Sequence, residues 1–108
     1  MIETIAQAKQ YGLTEAQLKL LIDILQQFPT VEQAVLFGSR AKGTMHSRSD
    51  IDLAVKGAQL NRHTLAQLAM LFDESDLPYA VDVQILQDIQ SPALRDHIQR
   101  IGQVIYQQ

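Results

Sequence analysis

Val35-Leu36-Phe37-Gly38-Ser39-Arg40-Ala41-Lys42-Gly43-Thr44-Met45-His46-Ser47-Arg48-Ser49-Asp50-Ile51-Asp52-Leu53-Ala54-Val55 is the stretch whose reading decides the fold. It reads as an apolar strand, a Gly-Ser turn, a basic loop and a second strand carrying two aspartates. Side chains alternate faces along an extended strand, so Asp50 and Asp52 point the same way, their Cα atoms roughly 6.5–7 Å apart. Two carboxylates on one face repel unless a cation lies between them. Hard oxygen donors of this kind suit Mg²⁺, which takes one or two protein carboxylates and completes its octahedron with water and phosphate oxygens. Ile51, Leu53 and Val55 point to the opposite face, ready to bury.

The turn upstream supplies the complementary chemistry. Gly38 allows a tight turn and close approach of a ligand to the backbone. Free N–H groups there, with the Ser39 hydroxyl, are suited to phosphate oxygens. Arg40, Lys42 and Arg48 add positive charge nearby. A phosphate cradle followed by metal-binding carboxylates is the layout that phosphoryl or nucleotidyl transfer needs. Alone, Gly-Ser is most often a plain turn and Asp-x-Asp a solvated strand face or a helix cap. The signal lies in their combination and order.

Composition narrows the class. The 108 residues suffice for one domain with one core. An apolar content of 46% fits an ordinary soluble globule rather than a disordered chain. A net charge of −3 argues against broad nucleic-acid binding, which needs a basic face, and favours a small anionic ligand held by a local basic loop. Without cysteine there is neither a disulfide nor a thiolate metal site. No signal peptide is read at the start, and no apolar run approaches the ~18 residues of a membrane helix, so a cytoplasmic protein is expected.

Along the chain, helical and extended patterns alternate. Residues 2–11 read as a short helix ending near Gly12. Thr14-x-x-Gln17 fits a capping box, and Leu18, Leu21, Ile22, Leu25 and Phe28 at helical spacing predict an amphipathic helix over 15–28, stopped by Pro29. Strands are expected over 33–37 and about 51–56, the second ended by Gly57. Asn61 or Thr64 caps a helix over about 62–74, which Pro78 confirms as finished. Ala80 to Leu86 reads as a third strand, with Val81, Val83 and Ile85 on one face and Asp82 and Gln84 on the other. Aspartate is disfavoured in strands, so Asp82 marks either an open sheet face or an active one. Ser91-Pro92 opens the last helix, Gly102 ends it, and Val104-Ile105-Tyr106 adds a closing strand. His97 and Arg95 read as surface residues, and Ser49 as a cap for the loop backbone.

Gly38-Ser39, the spacer, and Asp50-x-Asp52 resemble the signature of the nucleotidyltransferase superfamily that includes DNA polymerase β. The longer run from Phe37 to Gly43, with Ser49-Asp50-Ile51-Asp52-Leu53, is similar to the minimal nucleotidyltransferase (MNT) proteins. The specific motif covers residues 35–55; length and element order agree over the whole chain. The resemblance implies that residues 1–108 form a single minimal nucleotidyltransferase domain. Its expected architecture is a small α/β fold, a mixed sheet with helices mainly on one face and an open catalytic face.

The resemblance also implies roles. Asp50 and Asp52 are expected to hold Mg²⁺ on the triphosphate of ATP, and Gly38 and Ser39 the β- and γ-phosphates. Arg40, Lys42 or Arg48 neutralises charge on pyrophosphate. Asp82 matches the superfamily's third aspartate, which completes a two-metal site and receives the proton of the attacking hydroxyl. MNT proteins pair with small helical HEPN proteins, often RNase toxins, and act as antitoxins by transferring AMP onto a tyrosine of the partner, in the manner called type VII. Larger members of the superfamily grip base and acceptor with a further domain, so the acceptor site here is expected to come from another polypeptide or a self-association; the resemblance implies a hetero-oligomeric HEPN partner. Transfer to a small hydroxylated molecule and a binding-only antitoxin are the alternatives.

Overall fold

The computed structural model describes residues 5–108, with side chains from Gln7 onward. Ile5–Tyr11 is a 3₁₀ helix, after which Gly12 turns the chain at φ +70°. The part of the expected first helix before Ile5 lies outside the described residues. Thr14 then caps α1 (Glu15–Gln26) with both halves of a capping box. Thr14 Oγ1 accepts from the Gln17 amide at 3.0 Å, and the Thr14 amide donates to Gln17 Oε1 at 2.9 Å. The helix stops two residues short of the expected Phe28. The Gln27 and Phe28 amides instead make tight bonds back to Ile24 and Leu25, since Pro29 offers no N–H to continue.

Four strands form one mixed sheet in the order β3-β2-β1-β4. The central strand β1 (Gln33–Phe37) pairs antiparallel with β2 (Ile51–Lys56), Phe37 opposite Asp52. β3 (Val81–Ile85) lies parallel to β2, with Asp52 opposite Asp82. A parallel neighbour needs a crossover, which α3 (Arg62–Glu74) provides, capped by Asn61 through a 2.9 Å bond from the Thr64 amide. On the far edge, β4 (Gln103–Gln107) pairs antiparallel with β1 through a bulge beside Ala34 and Val35.

The two faces of the sheet are unequal. Ala34, Leu36, Ile51, Leu53, Val55 and Ile85 pack against Leu18, Leu21 and Leu25 of α1 and Leu68 and Phe72 of α3, making the main core. On the opposite face Val35, Phe37 and Ala54 meet Ile98 of α4 (Pro92–Ile101) in a smaller cluster. Two helices thus cover one face as expected, while α4 shields the β1 half of the other. The β2–β3 half of that face, where Asp52 and Asp82 stand, keeps access to solvent.

Candidate active site

β1 leads directly into the site. Phe37 is the last extended residue, and Gly38 starts the five-residue helix α2 (Gly38–Lys42) at φ +76°. A side chain there is excluded twice, by the left-handed backbone and by the Asp52 carboxylate, which lies where a Cβ would go. The Gly-Ser turn and the second aspartate are therefore in direct apposition. Gly43, at φ +81°, closes α2, and the Thr44 amide bonds back to Ser39 O at 3.0 Å.

Loop 44–50 folds around Ser49, which is buried. Its hydroxyl accepts the His46 amide at 2.9 Å, and its own amide donates to His46 O at 3.1 Å. The role expected of Ser49, capping the loop backbone, is the one it has. Asp50 follows, exposed, immediately before β2. Asp52 is half-buried on β2, and Asp82 is exposed opposite it on β3.

The electrostatics record the clustering. The Asp52 carboxyl is held above the ordinary value of 3.8, first by desolvation and then by the negative charges of Asp82 and Asp50, while His97 draws it back down. Among the described residues no three His, Asp or Glu side chains converge into a ready-made cation cage. The donor set is nonetheless of the kind a hard dication takes: carboxylate oxygens only, mutually repelling, with room for water and phosphate oxygens.

The basic residues divide sharply. Arg40 was expected at the phosphates, but the residue is 1% exposed and its guanidinium is engaged elsewhere. Nη1 donates to the carbonyls of Tyr11 (2.9 Å) and Gly12 (3.1 Å), and Nε and Nη2 to that of Ser49 (3.2 and 2.7 Å). The Tyr79 ring lies 4.1 Å beneath it. Arg40 stitches the entry of α1 to the loop that presents Asp50, with four of its five N–H donors committed to backbone carbonyls. Lys42 and Arg48 are exposed, and the ion pairs described, Lys19–Asp23 and Arg100–Asp96, include neither.

His97, read from sequence as a surface residue, is part of the site. Its Nε2 accepts the Gly38 amide at 3.0 Å, and its ring meets Phe37 edge-on with centroids 6.2 Å apart. A signal was available: His97 follows Leu94 by three and precedes Ile101 by four, so it lies on the buried stripe of α4.

The polymerase β nucleotidyltransferase family model matches residues 19–108. The probable protein adenylyltransferase MntA of Haemophilus influenzae is 36% identical over 75 residues, which cover 68% of this chain and 66% of that protein. The chain thus spans just under two thirds of that relative. A toxin–antitoxin complex crystallised with AMP-PNP is similar in structure, with a TM-score of 0.71 and 30% identity over 84% of this chain and 73% of the other. The complex of the tri-AMPylated Shewanella oneidensis HEPN toxin with its MNT antitoxin gives a TM-score of 0.65 and 25% identity over 87% and 72%.

Proposed function

The chain belongs to the polymerase β nucleotidyltransferase family, and from that premise we propose that it transfers AMP from ATP to a tyrosine hydroxyl of a HEPN-type partner, neutralising the partner as an antitoxin. The observation that carries this reading is the pairing of Asp52 with Asp82 on the sheet face where Gly38 abuts Asp52. An acidic pair beside a Gly-Ser turn has no use in binding alone. The adenylyltransferase relative and the AMPylated toxin complex support the choice of AMP and of a protein acceptor.

In the reaction, the Ser39 hydroxyl and the turn beside it hold the β- and γ-phosphates of ATP. Lys42 and Arg48, exposed and without ion-pair partners among the described residues, offset charge on the departing pyrophosphate. Asp50, Asp52 and Asp82 would hold Mg²⁺, as a pair of ions, which would supply charge neutralisation for the attacking and leaving oxygens; Asp50 and Asp52 would be the carboxylates on the triphosphate side. The tyrosine oxygen bonds to the α-phosphorus, the bond from that phosphorus to the α–β bridging oxygen breaks, and pyrophosphate leaves. Asp82, exposed and across the ladder from Asp52, accepts the proton of the tyrosine hydroxyl.

The exposed β2–β3 half of the face leaves room for a macromolecular acceptor, and the partner supplies the orientation that an open site lacks. The reading assigns the pair to the cytoplasm, where ATP is available. No described helix is long and apolar enough to cross a membrane.

ATP labelled at the α- or the γ-phosphorus tests the bond that breaks. The partner acquires α-label and no γ-label in the presence of Mg²⁺. Label from the γ-position would mean phosphoryl transfer, and α-label on a small hydroxylated compound alone would move the acceptor out of the protein class.

A further inference from the structure

We propose that His97 is a positioning residue of the nucleotide site: its Nε2 holds the Gly38 amide, so that helix α4 fixes the direction in which the Gly38–Ser39 turn presents its remaining donors. The inference rests on the transferase reading above, and it changes the role of Gly38 within that reading.

Three observations carry it. The Gly38 amide donates to His97 Nε2 at 3.0 Å, a bond that spans 59 positions of sequence. The ring is held from the side by Phe37, the residue preceding Gly38, in an edge-to-face contact with planes 79° apart. The helix that carries it is itself well anchored. Ser91 caps α4, Pro92 opens it, and Ile98, the next residue, is buried against the sheet.

The consequence follows from donor counting. A backbone amide has one hydrogen, and His97 takes it. Gly38 therefore contributes the absence of a side chain beside Asp52 and a turn at positive φ, rather than a donor to phosphate. Because Nε2 accepts, the ring proton sits on Nδ1. With the peptide between Phe37 and Gly38 pinned from α4 and its other side against Asp52, the Ser39 hydroxyl has a fixed origin. Without the pin, the turn keeps its sequence but loses its aim, and the cost falls on triphosphate binding rather than on the chemical step.

Reach separates this role from mere packing. The amide oxygen of glutamine falls near the place of Nε2, whereas that of asparagine falls short. The full chain is titrated with ATP·Mg²⁺ as wild type, His97→Gln and His97→Asn, with melting curves for each and with turnover on the partner at saturating ATP. His97→Gln is expected to bind within about twofold of wild type, and His97→Asn about 3- to 10-fold more weakly, the loss of one hydrogen bond. Turnover at saturating ATP changes little in either. Equal affinity in all three proteins overturns the proposal, as does equal loss in both variants at unchanged melting temperature. Absence of ATP·Mg²⁺ binding in the wild type, a different result, overturns the transferase reading and this inference with it.

Discussion

Asp52 and Asp82 face each other across a parallel strand pair, directly opposite in register and on the same side of the sheet. Parallel strands bring residues distant in sequence side by side without a hairpin, and here the intervening helix α3 spans the distance. Like charges so placed cost stability unless something positive resolves them. The Asp52 carboxyl is raised first by its burial and then by the charges of Asp82 and Asp50.

Removing the Asp52 charge therefore stabilises the protein without metal. The folded-state value of Asp52 lies above its unfolded value, so the ionised carboxylate opposes folding at pH values above both. That opposition fades as pH falls through the folded value and is gone below the unfolded one. Asp52→Asn is expected to melt higher than wild type at neutral pH without divalent ions, with the difference vanishing in acid. Added Mg²⁺ raises the wild type and leaves the variant unmoved. A lower melting temperature for the variant at neutral pH would sink the electrostatic account.

Asp82 differs from its neighbour by exposure. As the acceptor of the tyrosine proton it acts on the chemical step, where general-base contributions run roughly 10²–10⁴-fold. Asp82→Asn is expected to lower turnover by that order while ATP affinity falls far less. Single-turnover rates beside a nucleotide titration decide the matter. Normal single-turnover rates with lost ATP·Mg²⁺ binding would assign Asp82 to binding.

Ser39→Ala should weaken ATP more than AMP, because the hydroxyl is assigned to the β- and γ-phosphates. Competition titrations against a fluorescent nucleotide measure both. Equal losses for the two ligands would reduce the Gly-Ser pair to an ordinary turn.

Arg40 and Lys42 lie two residues apart and separate stability from binding. Arg40→Ala strands the carbonyls of Tyr11, Gly12 and Ser49 and is expected to cost about 2–4 kcal/mol. Lys42→Ala, at an exposed position, leaves stability within about 0.5 kcal/mol and weakens ATP binding. Denaturant melts of both variants settle the assignment; a stable Arg40→Ala with poor ATP binding would return Arg40 to the phosphates.

What was legible in the sequence was local. The alternation of Ile51, Asp52 and Leu53 and the apolar run from Ala34 to Phe37 set the strands, and Thr14, Asn61 and Ser91 announced their helices through bonds spanning three residues. Asp82 stood out because a charged residue interrupted a strand pattern. Arg40 and His97 were read wrongly for one reason. Each has its role set by a partner far away in sequence, the Tyr11 carbonyl 29 positions back and the Gly38 amide 59 positions back. A basic residue in a phosphate-binding motif looks the same on paper whether its guanidinium faces a ligand or three backbone carbonyls. Only the packing of the 3₁₀ helix, loop 44–50 and Tyr79 around Arg40 distinguishes the two.

The most direct measurement is the intact mass of the HEPN-type partner after incubation with this protein, ATP and Mg²⁺, read together with the partner's RNase activity. The account predicts a gain of one or more AMP units on tyrosine, a fall in RNase activity, and neither change with the Asp50→Asn, Asp52→Asn double variant. A partner that stays unmodified yet is inhibited equally by wild type and double variant would contradict it and leave a protein that acts by binding alone.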